Sequence, residues 1–341
     1  MTKKITAIAS CRVDLAGGTL DLWPLYLFHE GAVTVNFALT VVTRAMITSS
    51  DSSAIIFRSI DTAREDRFAD LAAFKNAKSF KHPLAGYLTR FFLSQADAPT
   101  GGFTLETDSE SPAGAGISGS SALMIATTAA LARYCDNPMG KEAMRVLAQN
   151  VEAQLIRVPT GCQDYYPALY GGVGAVRLLA SGIDRVPVNI PSSELDKRFV
   201  LAYTGVPRQS GINNWEVFKA HINGSKRVQK NFAEITDIAK SMHCALTGQE
   251  WDKVIALLQR EWKLRKTNAP GITTPKIDRL VDVATKNGAR AAKVCGAGGG
   301  GCVVFLTDPD AKQRVQQKLR EAGAQVLDCK VSRRGVRVIT E

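Results

Sequence analysis

The chain reads as an α+β protein, and three observations predict it. Residues 32–41 alternate strictly: Val33, Val35, Phe37, Leu39 and Val41 are apolar with Ala, Thr or Asn between them. That is the period of a half-buried strand. Residues 119–134 are apolar almost all round, as a buried helix is. Strands and helices then follow in mixed order with little regular βαβ alternation, which is the α+β arrangement.

Residues 5–10 are the first predicted strand, which delivers Arg12, Val13 and Asp14. Ala16, Gly17 and Gly18 make a turn, and Asp21, Leu22, Trp23 and Pro24 open a new segment. Residues 42–48 and 54–58 are expected as antiparallel neighbours of the 32–41 strand. A helix is predicted over 84–93 and a strand over 102–107, where Phe103 and Leu105 alternate with Thr104, Glu106 and Thr107. The 119–134 helix is followed by a second over 141–157, stopped by Pro159, Thr160 and Gly161. A glycine-punctuated strand at 171–176 and strands at 186–190 and 199–203 come next. Composition shifts near Pro191, Ser192 and Ser193, and beyond that point the chain is mainly helical. Trp251, Ile255, Leu258 and Trp262 share one helical face, as do Ile277, Leu280, Val281 and Ala284. Residues 291–306 read as strand, glycine loop, strand. Val315, Leu319 and Ala322 mark a last helix before a strand ending near Ile339. The expected division is therefore residues 1–191 and residues 192–341, with no internal repeat.

Length and charge narrow the functions. A chain of 341 residues holds one large or two medium domains. The net charge of +11 suits nucleic acid, a membrane surface or a phosphorylated small molecule. Basic residues are spread rather than blocked, and the 7% of aromatic residues do not interleave with them. A nucleotide plus an anionic small substrate is the expectation, without nucleic-acid or membrane partners. The basic start at Lys3 and Lys4 lacks a long apolar run, so no signal peptide is expected, and nothing reaches the length of a membrane span. Seven cysteines without a Cys-x-x-Cys pair read as reduced thiols of a cytoplasmic protein. His29, His82, His221 and His243 show no metal-ligand spacing.

The chemistry centres on residues 111–122, Ser-Pro-Ala-Gly-Ala-Gly-Ile-Ser-Gly-Ser-Ser-Ala, lying between a strand and a helix. Gly114, Gly116 and Gly119 let backbone N–H groups approach an anion. The first turn of the helix adds unpaired N–H donors and the positive end of its dipole. Ser120 and Ser121 supply hydroxyls for a metal or a phosphate oxygen. No Lys-Ser or Lys-Thr follows the last glycine, so this is not a P-loop, and no βαβ unit opens the chain as a dinucleotide fold would. A Gly/Ser loop alone is equally an ordinary flexible connection.

This stretch resembles the phosphate loop of the GHMP kinases (galactokinase, homoserine kinase, mevalonate kinase, phosphomevalonate kinase), Pro-x3-Gly-x-Gly-Ser-Ser-Ala with one extra residue here. The extra residue leaves open which of Ser120 and Ser121 meets the metal. Arg12-Val13-Asp14-Leu15-Ala16-Gly17-Gly18-Thr19-Leu20-Asp21 resembles the family's first motif, and residues 293–302, Lys-Val-Cys-Gly-Ala-Gly-Gly-Gly-Gly-Cys, its third. Three motifs in order, from Arg12 to Cys302, make the resemblance specific. It implies a two-domain fold with the active site in the cleft between domains, ATP as phosphoryl donor and Mg²⁺ as cofactor. It also implies a small-molecule acceptor, a place in carbohydrate metabolism, and a monomer or homodimer.

The resemblance assigns roles residue by residue. Pro112, Ala113, Gly114, Ala115, Gly116, Ser118, Gly119, Ser120 and Ser121 would hold the nucleotide. Ser121 and Glu152 would hold Mg²⁺, although Glu152 by itself reads as a solvated helix glutamate. Asp164, in a Pro-Thr-Gly-Cys-Gln-Asp turn, resembles the catalytic aspartate that accepts or orients the substrate hydroxyl. Arg12 resembles the motif-one cation that keeps it ionised. Asp21, nine residues after Arg12, matches the spacing of a galactokinase residue that grips sugar hydroxyls. Gly17, Gly18 and Thr19 stand where galactokinase has Gly-Glu-His, which argues against galactose. They resemble the branch containing D-glycero-D-manno-heptose 7-phosphate kinase and fucokinase, as does the stretch from Tyr203 to Ser210. Gly298 and Gly299 are expected to abut the phosphate loop and close the substrate side. Arg208 and Lys293 are candidate phosphate partners, or solvated cations. The expected reaction is ATP-dependent phosphorylation of a sugar or sugar-phosphate hydroxyl, foremost heptose 7-phosphate at its anomeric position. A kinase for a free sugar or polyol (fucose, galactose, inositol) and a non-catalytic sensor on the same fold are the alternatives.

Overall fold

The computed structural model describes residues 3–95, 99, 101–208 and 212–341, the side chains of Ile212 and Asn213 excepted. The chain opens with β1 (Lys4–Ala16), antiparallel to the long β2 (Val33–Ser50). A 3-10 turn at Leu25–Phe28 stands between them. The hairpin β3 (Ile55–Ser59) and β4 (Arg64–Phe68) leads through α1 (Leu71–Asn76) and α2 (Pro83–Leu93) to β5 (Gly102–Ser109). Next come α3 (Gly119–Tyr134), α4 (Lys141–Ile156), the short α5 (Tyr165–Tyr170) and the hairpin β6 (Val173–Leu179) and β7 (Gly182–Pro187). The remainder runs α6 (Ser192–Asp196), β8 (Phe199–Tyr203), α7 (Ile212–Ile222), α8 (Lys226–Thr247), α9 (Trp251–Arg265) and α10 (Pro275–Lys286). It closes with β9 (Ala289–Val294), β10 (Cys302–Thr307), α11 (Lys312–Glu321), β11 (Gln325–Leu327) and β12 (Arg337–Thr340).

Two sheets organise these elements. The larger has the order β12-β1-β2-β5-β3-β4, with β6 on β2 and β7 on β6; the smaller is β11-β8-β10-β9, antiparallel throughout. The α3 helix is apolar all round because β1, β2 and β5 cover one side and α2, α4 and α5 the other. In β1 the odd positions Ile5, Ala7, Ala9, Cys11, Val13 and Leu15 are fully buried, while Lys4, Thr6 and Ile8 on the other face are only partly covered. From Ser10 onward both faces are buried, because the second half of the chain covers the sheet there. Arg12 and Asp14 lie on that covered face. Register shifts between Ser10 and Arg12 and between Asp14 and Ala16 break the ladder at both, as bulges beside active sites do.

Several expectations are corrected. Residues 33–39 are buried on both faces rather than half-buried, because the helices α3, α5 and α8 pack against β2, while β6 pairs along its edge. Residues 42–48 continue β2 and are not a separate neighbour. β3 pairs parallel with β5 (Ile55↔Phe103) and antiparallel with β4, not with β2. The strand expected at 186–190 is instead β7, Gly182–Pro187. The division at 191 fails at the end of the chain: β12 returns to pair with β1 (Ile5↔Thr340), and Val331 bridges to Leu39. The cores also interlock, with Phe199, Leu201 and Leu246 packing in one cluster with Phe37 and Ile125. Gln209 and Ser210, which close the Tyr203-to-Ser210 stretch, lie outside the described residues. Among the described residues no helix is long and apolar enough to cross a membrane.

Candidate active site

A cleft of about 330 Å³ opens where the two halves of the chain meet. The first half lines it with Arg12, Asp21, residues 111–116 and 118–121, Glu152 and Asp164; the second contributes Arg208, Asn214, Arg265 and Gly296. All nine loop residues assigned to the nucleotide border it.

The loop backbone passes through left-handed conformations at three positions. Gly114 and Gly116 adopt φ +66° and +76°, and Ser118, the residue before α3, is also left-handed at φ +61°. A Cβ on Gly116 would lie 2.6 Å from the Cys295 carbonyl oxygen, so only glycine fits there. The Ser118 hydroxyl is buried without a hydrogen-bond partner. The third glycine run approaches the loop as expected, but through different residues. A Cβ on Gly301 would meet the Ala115 carbonyl oxygen at 2.6 Å, and Cys302 N–H donates to that same oxygen at 2.7 Å. Gly298 and Gly299 face elsewhere. Gly299 N–H donates to the Ile272 carbonyl, a Cβ on Gly298 would meet that carbonyl oxygen at 2.4 Å, and neither residue lines the cleft. Their assignment to phosphate-loop closure and substrate is corrected accordingly.

Arg12 and Asp164 form an ion pair at the base of the cleft. Arg12 Nε and Nη2 both donate to Asp164 Oδ1, at 2.9 and 2.6 Å, and Nη1 donates to the Gly116 carbonyl at 2.9 Å. Arg12 is 2% exposed. Burial opposes its charge, but Asp164 and Asp14 outweigh that and raise its pKa. The Asp164 side chain keeps 22% of its surface open to the cleft. Asp21 supports this turn from behind: its Oδ2 accepts from Gln163 N–H at 2.9 Å and its Oδ1 from Thr19 N–H at 3.1 Å. Gly161 is glycine because a Cβ there would sit 2.0 Å from Asp21 Oδ2. Burial, with Asp164 adding, pushes the Asp21 carboxyl up to about 7 against the pull of the Gln163 N–H.

Glu152 is not a solvated helix residue. It is 7% exposed, and its Oε2 accepts from Ser121 Oγ at 2.9 Å and from Tyr165 Oη at 2.5 Å. The neighbouring Ser120 hydroxyl also favours the charged carboxylate. Burial pushes Glu152 above the usual carboxylate range, and the hydroxyls pull it part of the way back. Ser121 is buried while Ser120 is exposed. The described residues contain no group of three or more His, Cys, Asp or Glu able to hold a metal. One carboxylate and one hydroxyl do fit Mg²⁺, a hard cation that takes few protein oxygens and completes its shell with water and phosphate.

Beneath the first motif lies a buried charge cluster that sequence reading missed. Lys293 is fully buried and pairs with Asp14 Oδ2 at 2.6 Å and Glu261 Oε1 at 3.3 Å, so it is neither a phosphate partner nor a solvated cation. Lys293, Arg265 and Arg12 hold Asp14 below the usual carboxylate range despite burial, whereas burial pushes Glu261 up. Glu261 Oε2 accepts from Gly17 N–H. Arg265 donates to the Gly18 carbonyl (3.0 Å), Thr19 Oγ1 (3.2 Å) and the Gly296 carbonyl (2.9 Å), joining the first motif to the third. Gly17 and Gly18 shape this turn without lining the cleft; Thr19 and Asp21 line it. A Cβ on Gly17 would lie 2.1 Å from the Val33 carbonyl oxygen, and one on Gly18 2.3 Å from Asp14 Oδ2. Thr19 itself sits at φ +77°, and its hydroxyl donates to Asn214 Oδ1 at 3.1 Å. Asn214, Arg265, Glu261 and Tyr165 had no motif to mark them.

Arg208 differs from the other buried cations. Its backbone N–H donates to the Gly114 carbonyl, and its side chain lies between Gly116 and Gly296, whose added Cβ atoms would sit 3.0 Å from its Nε and 2.9 Å from its Cζ. Its Nε is buried without a hydrogen-bond partner, and among the described residues no carboxylate pairs with it. Burial and the neighbouring Arg12 lower its pKa. The histidines stay outside the cleft: His29 and His221 meet Nε2 to Nε2 at 2.8 Å, and His82 bonds the Thr107 hydroxyl.

Comparison with known proteins fits this arrangement. The D-glycero-alpha-D-manno-heptose 7-phosphate kinase of Campylobacter jejuni is 26% identical over 347 residues, covering 98% of each chain. The crystal structure of a D-glycero-D-manno-heptose 1-phosphate kinase from Bacteriodes thetaiotaomicron superposes with a TM-score of 0.80 at 21% identity, covering 98% of each chain. Lactococcus lactis galactokinase, complexed with galactose, superposes with a TM-score of 0.78 at 19% identity over 98% of this chain and 95% of that one. At these identities the superpositions speak to the fold. Residues 84–172 match the family model "GHMP kinases N terminal domain" and residues 235–325 match "GHMP kinases C terminal", together just over half of the chain. The chain therefore belongs to the GHMP kinases, enzymes that use ATP as phosphate donor.

Proposed function

We propose that this kinase transfers the γ-phosphoryl group of ATP, with Mg²⁺, to a hydroxyl of a phosphorylated sugar of the heptose 7-phosphate type, at the anomeric position. The observation that carries the reading is the Arg12–Asp164 ion pair set beside the glycine loop in one cleft. The substrate class follows the similarity to the Campylobacter jejuni enzyme along the whole chain.

In this reading the backbone N–H groups of residues 112–121 and the N-terminus of α3 cradle the nucleotide phosphates. Asp164 offers Oδ2, because both Arg12 donors load Oδ1. It accepts the proton of the acceptor hydroxyl, whose oxygen forms the new bond to phosphorus as the bond to ADP breaks. Arg12, tied to Gly116 and Asp164, fixes the aspartate relative to the loop. Arg208, a cation at the loop that pairs with no carboxylate among the described residues, neutralises charge on the transferring phosphoryl group. Ser121 and Glu152 would hold Mg²⁺, which when bound would screen the phosphate charge. Asp21 spends both oxygens on the backbone of the Thr19 and Gln163 turns, which supports a role in positioning Asp164 more than in gripping a sugar. Residues 1–191, with the chain end from Lys330 through β12 that returns to β2 and β1, make up one lobe and residues 192–329 the other.

The test is ADP release from Mg-ATP with heptose 7-phosphates, hexose 6-phosphates and the matching free sugars, and phosphorus NMR of the product. Turnover with a sugar 7-phosphate and a new anomeric phosphate is expected. Equal turnover of free sugars would favour the free-sugar kinase, and tight sugar binding without turnover the sensor.

A further inference from the structure

We propose that Tyr165 is the positioning residue of the metal carboxylate: by donating to Glu152 Oε2 it determines which oxygen of Glu152 is offered to the divalent cation. The inference rests on the reading of Glu152 as a metal ligand and extends it to a residue that no motif marks.

Three elements converge on this carboxylate. Glu152 comes from α4, Ser121 from the first turn of α3, and Tyr165 is the first residue of α5. Tyr165 is fully buried, and a buried phenol needs a partner for its hydroxyl. Its partner is the oxygen that Ser121 already bonds, at 2.5 Å against 2.9 Å. Two donors on Oε2 stop the carboxylate from turning over and leave Oε1 without a bond from either. Ser121 directs its only proton at Oε2, so its lone pairs remain available to a cation. Both oxygens that Mg²⁺ would use are oriented by the same contact.

The choice of donor matters as much as its place. Among the described residues no Lys or Arg forms an ion pair with Glu152, in contrast to Asp14 and Asp164. An arginine here would orient the carboxylate equally well but cancel its charge. A neutral phenol fixes the geometry and leaves the negative charge to the incoming cation. Tyr165 also follows Asp164 directly, so one turn sets the acceptor-side carboxylate and the metal-side carboxylate together.

The test uses wild type, Tyr165→Phe, Glu152→Gln and the double variant, each checked by thermal melting. Mn²⁺ is titrated into protein saturated with ADP, and free Mn²⁺ is read by electron paramagnetic resonance, so no turnover is involved. Loss of a ligand-orienting partner typically weakens metal binding about ten- to a hundredfold. Tyr165→Phe is expected to raise the Mn²⁺ dissociation constant about tenfold, to leave ADP affinity in EDTA within about twofold, and to recover kcat at high Mg²⁺. In the Glu152→Gln background, Tyr165→Phe is expected to add nothing; that comparison also serves if the single variant does not fold, because the double variant has no buried charge to strand. Wild-type Mn²⁺ binding by folded Tyr165→Phe, beside weakened binding by Glu152→Gln, overturns the inference alone, as does a further loss in the double variant. Wild-type binding by Glu152→Gln overturns the metal reading beneath it.

Discussion

Replacing Asp164 with Asn removes one negative charge and leaves the shape of the side chain nearly intact. The consequences can be worked from the ion pair. Arg12 donates twice to Asp164 Oδ1, at 2.9 and 2.6 Å, from a site only 2% exposed. With charge centres about 4 Å apart and an effective dielectric near 20, the pair interacts by about 4 kcal/mol. Asn keeps an oxygen for the Arg12 N–H groups, and Asp14 still supports the guanidinium, so about half of that should appear as lost stability. The variant should melt a few degrees lower and remain folded. The rate should fall much further. A positioned general base contributes about a hundred- to ten-thousandfold, or about 3–5 kcal/mol of barrier. The loss belongs in kcat, with KM for ATP little changed, because Asp164 faces the acceptor. The assay is steady-state ADP release on the best acceptor, run as a double-mutant cycle with Arg12→Met. Residues that act through one another are strongly non-additive, so the double variant should be little worse than the poorer single one. A folded Asp164→Asn enzyme within about tenfold of wild-type kcat, or an additive cycle, would refute the assignment of Asp164 as the base.

Four further substitutions separate roles that the motifs alone confuse. Gly301→Ala should weaken nucleotide binding, because its Cβ would push on the Ala115 carbonyl of the phosphate loop, whereas Gly298→Ala pushes on Ile272 and should lower the melting temperature with little change in ADP affinity; calorimetry and a melt on both variants check this. Arg208→Gln should lower kcat about ten- to a hundredfold with phosphorylated and free sugars alike, since the side chain lies at the loop; a loss confined to phosphorylated acceptors would place it on the substrate phosphate instead. Lys293→Met leaves Asp14 and Glu261 buried without their shared cation and should cost about 3–5 kcal/mol in denaturant unfolding. Burial already raises the Glu261 pKa, and a group with a raised folded pKa is protonated and tolerated at low pH, so the deficit should widen from pH 5 to pH 8.

Local signals in the sequence were read correctly where the cause is itself local. The strand at β1, the apolar girth of α3 and the alternation of β5 depend on near neighbours in the chain. The three motifs also announced the cleft, because resemblance carries long-range information that periodicity does not. Periodicity reports that a face is covered and not by what. It therefore gave a half-buried strand over 32–41, where helices α3, α5 and α8 pack against β2 and bury both faces, and missed that β2 runs unbroken to Ser50. It could not return β12 to β1 across the whole length of the chain. Charges behave in the same way. Lys293 reads as a surface cation until the topology brings it to Asp14, 279 residues away, and Glu152 as a solvated helix residue until α3 and α5 close over it. Glycine spacing showed that the third run approaches another backbone closely, but whether Gly298 or Gly301 meets the phosphate loop depended on where β10 sits beside Ala115. A side chain's type and its neighbours in sequence set what it can do, and only the packing of distant elements decides which partner it meets and whether water is excluded when it does.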